Sequence, residues 1–230
     1  MVASYIAELR RTVSAPRLDK YRPHGGSDLD MAVTYLWNIA LSEALYPGLA
    51  ALEVSLRNGI HEAMTFREGT EWWCYQAGLL EPKQLRDFAS ARLNLFYQKK
   101  HQPTAGQVVA ELTFGFWTTI LSQPCHQSLW VPKRTALLKA VFPYLPPVPN
   151  NRHYVHQRYN DLRKLRNRVF HHEPIWDRQR LREEHQDMIE AIGWISPTVR
   201  DSIVLIDHFA DTYQHGKARI EVMLTQHVNT

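Results

Sequence analysis

Apolar residues recur at three- and four-residue intervals along almost the whole chain, a spacing that suits helices and little else. Leu49, Leu52, Leu56, Ile60 and Ala63 form one such stripe. Glycine is scarce, with 10 in 230 residues, and no Asn-Gly or Asp-Gly pair is flanked by alternating strands, so hairpins have nowhere to turn. Prolines punctuate the pattern instead. A short helix is expected before Pro16, then a loop over 20–28 with Ser27 or Asp28 capping the next helix. That helix runs from about 29 to 43, Pro47 kinks or restarts it, and residues 49–64 continue it. Glu81 and Pro82 open another, to about Lys100, and Thr104 caps a further one through about 122. The remaining helices are expected at about 151–172, 177–194, 197–213 and 215–227. The run PYLPPVPN at 143–150 reads as an internal connector. The expected fold class is all-α, a helical bundle with small inserted helices, in one domain over 1–230 with an N-terminal elaboration over about 1–28.

Composition narrows the function classes. Hydrophobic content of 44% and charged content of 22% fit a soluble globular chain. Cys74 and Cys125 provide no disulfide framework and no Cys-x-x-Cys zinc pair, so no metal or cofactor is expected. The N-terminal MVASYIAELRR carries charges where a signal peptide needs an apolar core, and no stretch of about eighteen uncharged apolar residues exists. No membrane span is expected, and the cytoplasm is the default location. The net charge of +4 is concentrated: residues 151–184 hold nine Lys/Arg against five Asp/Glu. A local basic field suits nucleic acid, and a solvated helix face fits it too.

The basic helix ends in LRNRVFHHEPIW, residues 165–176. On a wheel of about 100° per residue, Val155, Leu162, Leu165 and Val169 form the core stripe. His156, Asn160, Arg163, Asn167 and His171 form a polar ridge at spacings of four, three, four and four. Asn167 and His171 lie one turn apart and project together, while Arg166 lies between this ridge and the core stripe. His172 diverges from His171 by about 100°, which points it to the core edge as a packed histidine. Pro174 stops the helix, so His171 falls in its last turn. Arginine to hold phosphoryl charge, asparagine to orient an imidazole or a ribose hydroxyl, and histidine to move protons together suit metal-free RNA cleavage. A polar seam that rigidifies the bundle uses the same residues.

Arg166-Asn167, three residues, then His171 resembles the Arg-Asn-x-x-x-His motif of HEPN domains, which are all-α and include many metal-independent endoribonucleases. With HHEPIW (171–176), ELTFGFWTTIL (111–121), SAPRLDKY (14–21) and LEVSLRNGIHEAM (52–64), the chain resembles the Abi-like family of abortive-infection and toxin–antitoxin systems over roughly residues 5–215. The resemblance implies a HEPN-type bundle in which Arg166, Asn167 and His171 are catalytic, with a composite site completed across a homodimer. It implies RNA as substrate and a protein or RNA antitoxin as the restraining partner. Arg163 and Arg168 are expected to bind substrate. Between Asn and His this chain has Arg168, Val169 and Phe170, where the family often has small residues.

A near-copy, Arg57-Asn58-Gly59-Ile60-His61, has one residue fewer between its Arg and His. Arg57, Asn58 and His61 either help to hold RNA or form a Glu53–Arg57 pair beside a surface histidine. Phe114, Phe116, Trp117 and Ile120 read as core. Trp72 and Trp73 read as a core lid, with base stacking as the other reading. A non-catalytic RNA-binding module or a helical protein-interaction module remains the alternative to the enzyme.

Overall fold

The computed structural model describes residues 2–75, 79–131, 134–147 and 151–229, and among them every regular element is helical. In chain order these are α1 (Val2–Val13), α2 (Ala15–Leu18), a 3-10 turn (Asp19–Tyr21), α3 (Asp28–Glu68), α4 (Trp72–Tyr75), α5 (Pro82–Lys99), α6 (Ala105–Glu111) and α7 (Phe114–Ile120). A π-helical turn (His126–Trp130) follows, then α8 (Arg134–Val141), α9 (Asn151–Phe170), α10 (Leu181–Ile195), α11 (Pro197–Val204) and α12 (Phe209–Asn229). The fold is all-α.

The chain gathers into two compact units, each built from separated stretches. The first comprises Met1–Leu49, Leu165–Gln186 and Ile203–Thr230. Ile6 of α1, Met31, Ala32 and Val33 of α3, and Leu224 and Val228 of α12 share its apolar core with Leu18. Ser27 caps α3 as expected, in a reciprocal box. Its hydroxyl accepts from the Asp30 N–H at 3.1 Å, and the Asp30 carboxylate accepts from the Ser27 N–H at 2.8 Å. Gly216 of α12 lets Trp37 lie against that helix, where a Cβ would stand 3.3 Å from the indole, and Trp37 donates to the Thr212 carbonyl at 2.9 Å.

The second unit comprises Ala50–Lys164 and Asp187–Ser202. The stripe residues Leu52, Leu56 and Ile60 are buried in it. Trp73, Phe88, Phe116 and Trp117 form a chain of ring contacts with centroid distances of 4.4, 5.0 and 4.9 Å. Trp72 and Trp73 are 0% and 7% exposed, which makes them packing residues and leaves no ring face for a base. Phe114 and Ile120 are buried as expected. Tyr159 of α9 donates its hydroxyl to the Ala191 carbonyl of α10 at 3.0 Å.

Several boundaries differ from the sequence reading, among them the start of α10, at Leu181 rather than 177. Pro47 neither ends nor restarts its helix, because α3 runs unbroken for 41 residues. The helix expected behind Thr104 breaks at Leu112, whose backbone is extended, and Thr113 begins a new one by accepting from the Phe116 N–H at 3.2 Å. Thr104 and Thr113 are both caps, and a cap inside an apolar run does not show in periodicity. The helix expected over 197–213 breaks after Val204, because Asp207 turns back to accept from the Phe209 N–H at 2.9 Å and so starts α12 early. α9 ends at Phe170, two residues sooner than expected. Residues 148–150 of the proline-rich run lie outside the described residues. By length and composition α3 is also apolar enough to cross a membrane, with 39% of its most apolar window buried. Its Leu41, Leu45 and Leu49 are 0%, 0% and 1% exposed inside the first unit, as in a core helix.

Candidate functional site

Arg166, Asn167 and His171 all fall in the first unit, at the C-terminal end of α9. The His171 N–H donates to the Asn167 carbonyl at 2.9 Å, which closes the last helical bond and leaves the exposed His171 as the C-cap. Asn167 and His171 therefore share one face. Arg166 shares the neighbouring face with Phe170, and its guanidinium lies over that ring, 4.1 Å from the centroid. The ordinary helical offset between adjacent residues accounts for this division.

His172 is not packed against the core. It adopts a left-handed backbone with φ of 56°, and it is exposed. Its N–H reaches the Val169 carbonyl at 3.0 Å and the Glu173 N–H reaches the Arg168 carbonyl at 2.8 Å, the paired bonds of a Schellman stop. The wheel failed at His172 because the helix had already ended. A histidine occupies a position that usually belongs to glycine, and Pro174 follows at the spacing such stops favour.

Sequence-distant residues fasten the turn that follows. Arg17 donates to the His172 carbonyl at 2.6 Å, and the Tyr21 hydroxyl donates to the same oxygen at 3.3 Å. Trp176 Nε1 donates to the Lys20 carbonyl at 3.3 Å. The buried Asn38 accepts from the Ile175 and Trp176 N–H groups at 2.7 and 3.2 Å through one side-chain oxygen. Arg168 points back and donates to the Pro174 carbonyl from Nε at 3.1 Å and from its terminal nitrogen at 2.6 Å. Its guanidinium thus serves the turn, with Glu173 3.8 Å away. SAPRLDKY and HHEPIW, two of the segments on which the resemblance rests, are therefore in direct contact through Arg17, Tyr21, Lys20, His172 and Trp176.

Beside the motif lies an open cleft of about 440 Å³, lined by one face of α3 (Ile39, Ser42, Glu43, Tyr46 and Pro47) and by Val169, Phe170 and His172. Tyr46 and Phe170 are stacked, with centroids 5.7 Å apart and planes at 27°. Ile39, Tyr46 and Phe170 are 47%, 55% and 37% exposed. Glu43 pairs with His208 at 2.9 Å, and this bond raises the His208 imidazole above its usual range. The sequence reading missed this cleft. Its signal was available: Ile39, Ser42, Glu43 and Tyr46 follow helical spacing, and the aromatic Phe170 stands inside the motif.

The other expected site residues belong to the second unit. Arg163 donates to the Asn160 side-chain oxygen from Nε and a terminal nitrogen, at 3.3 and 2.8 Å. Arg57 Nε donates to the Asn58 side-chain oxygen at 3.3 Å, and Asn58 is exposed. His61 is not a surface histidine. It is half-buried, and its Nδ1 accepts from Trp72 Nε1 at 3.2 Å, which fixes a neutral ring with its proton on Nε2. Burial holds its imidazole below the usual range.

Chemically, the end of α9 offers an exposed imidazole, an amide one turn behind it and a guanidinium on the adjacent face. No protein-family model matches the chain, and no curated protein and no solved structure matches it either.

Proposed function

We propose that this chain is a metal-independent endoribonuclease of the HEPN type, an Abi-like toxin or abortive-infection effector acting on RNA in the cytoplasm. The observation that carries this reading is the capped end of α9. An exposed His171 stands one turn from Asn167, and the turn behind it is held by Arg17, Tyr21 and Asn38. A catalytic imidazole needs this combination of access and fixed position. Arg166, stacked over the Phe170 ring at the same helix end, is the group that would hold phosphoryl charge.

In the proposed reaction an imidazole takes the proton of a ribose 2′-hydroxyl, whose oxygen attacks the adjacent phosphorus. The bond from phosphorus to the 5′-oxygen breaks, and that oxygen gains a proton. The products are a 2′,3′-cyclic phosphate and a 5′-hydroxyl. One His171 cannot stand on both sides of the phosphorus, so a second copy of the chain completes the site, one providing the base and the other the acid or charge clamp.

The test is incubation with total RNA in EDTA. Wild type is expected to give new 2′,3′-cyclic phosphate ends, and His171→Ala and Arg166→Ala are expected to give none while keeping the wild-type helical content. Cleavage by His171→Ala at the wild-type rate would sink the mechanism. Salt-sensitive RNA binding without product would leave an RNA-binding module in its place.

A further inference from the structure

The reaction needs only a phosphate and a 2′-hydroxyl, so the cleft of about 440 Å³ beside the motif has no part in it as described. Its size falls within the range of small-ligand sites. It is apolar through Ile39, Pro47, Val169 and Phe170, and it carries one carboxylate, Glu43. Tyr46 turns one face to Phe170 and is 55% exposed, so its ring is open to a further stacking partner. Among the described residues Glu43 pairs with His208, through a single carboxylate oxygen, and its side chain is 67% exposed. Its other oxygen meets no donor among the described residues.

Three chemistries thus meet within one unit: a ring platform, an acceptor-only carboxylate and, over the Phe170 ring, the Arg166 guanidinium. Single-stranded RNA presents matching groups, because its unstacked bases lie on aromatic rings and its phosphates seek guanidinium groups. A carboxylate selects among bases. Guanine offers two adjacent donors, N1–H and the exocyclic amino group, to the Glu43 oxygen that His208 leaves open and to the second lone pair of the other. Uracil offers the single N3–H, flanked by two carbonyl oxygens that a carboxylate disfavours, so it binds less well there.

We propose that this cleft seats one base of the RNA substrate, stacked on Tyr46 and read by Glu43, with guanine preferred and uracil disfavoured. The proposal rests on RNA being the substrate, and it adds base selection at a position next to the cut.

The test uses the full-length protein in EDTA with guanosine and uridine 5′-monophosphates as probes, followed by ligand-observed NMR and calorimetry. Wild type is expected to bind the guanosine nucleotide about ten-fold or more tightly than the uridine one, the scale of one base-edge contact pair. Tyr46→Leu is expected to weaken both by about ten-fold, the scale of one lost stacking contact. Glu43→Gln is expected to erase the preference and leave uridine binding unchanged or improved. Both positions are exposed, so the core is untouched, and circular dichroism checks this. Equal binding of the two nucleotides, or wild-type binding by both variants, overturns the seat. If RNA is still cleaved in that case, the ribonuclease reading survives alone. If the selective binding is found and no RNA is cut, the cleft stands as a base-binding site for RNA as a ligand, and the catalytic reading fails. A wild-type dimer that Tyr46→Leu converts to monomers also overturns it, because a second copy then covers the cleft.

Discussion

Asn38→Ala isolates the role of the turn behind the motif. Asn38 is 4% exposed on α3, and its side-chain oxygen is the acceptor for two main-chain N–H groups, those of Ile175 and Trp176. Ile175 is itself fully buried, so its N–H has no water to turn to, whereas Trp176 is half-buried and recovers part of its loss. A buried donor left unpaired costs about 1–3 kcal/mol, and one full loss plus one partial loss comes to about 3 kcal/mol. Against a total stability of about 5–15 kcal/mol this is a large fraction. It corresponds to a fall in Tm of about 6–12 °C for a chain of this length. Urea unfolding followed by circular dichroism measures the loss, and hydrogen exchange of the Ile175 and Trp176 amides locates it. Ser42→Ala serves as a control: Ser42 donates only to the Asn38 carbonyl on its own helix, and its removal costs less than about 1 kcal/mol. A loss below about 0.5 kcal/mol for Asn38→Ala, the size of an ordinary surface change, would refute the reasoning. So would wild-type protection of both amides.

Two further outcomes follow from geometry already described. His172→Gly relieves a left-handed backbone that costs about 1–2 kcal/mol in an L-residue and gives back about 0.5–1 kcal/mol in chain entropy. A net stabilisation of about 0.5–1 kcal/mol is expected in the urea midpoint, and a lower midpoint than wild type would contradict it. Stability is also expected to fall as pH drops through and below the ordinary imidazole range. Burial holds His61, His156 and His185 below that range, in His185 against the pull of Asp207 2.9 Å away. The unfolded chain therefore takes up protons first as pH falls, and stability rises with pH across this window. His208, raised by Glu43, works in the opposite direction, but both partners are largely exposed and the pair is screened. Urea midpoints from pH 8 down to 5 test the sign, and His185→Gln should flatten the slope.

Much of the architecture was legible because helices announce themselves locally. The stripe Leu49–Leu52–Leu56–Ile60–Ala63, the caps Ser27, Glu81 and Thr104, and the end of α9 before Pro174 all follow from residues within one or two turns. The two false continuations, at Leu112 and after Val204, share a cause. A side chain, Thr113 or Asp207, captures a backbone N–H and outcompetes the helix, and periodicity is blind to that choice. The motif triad was readable as a spacing, but its surroundings were not. That His172 is exposed depends on a φ angle. That Arg168 serves Pro174, that Asn38 meets Ile175, and that Tyr46 meets Phe170 depend on tertiary pairings over 6, 137 and 124 positions. Only the first of these lies within reach of local sequence.

Arg17 and Tyr21 meet the His172 carbonyl across 155 and 151 positions of chain. On a ribosome the N-terminal residues emerge first and wait for the rest. Residues 166–171 are made just before the turn that anchors them, and that anchorage needs residues 172–176 to emerge and find partners made long before. Closing so long a loop is slow compared with adding a few residues to a helix. A nascent chain would therefore carry the Arg-Asn-His spacing for a time without its fixed geometry. On the proposed ribonuclease reading, this interval would delay activity while the chain is still beside the messenger and transfer RNAs of its own synthesis.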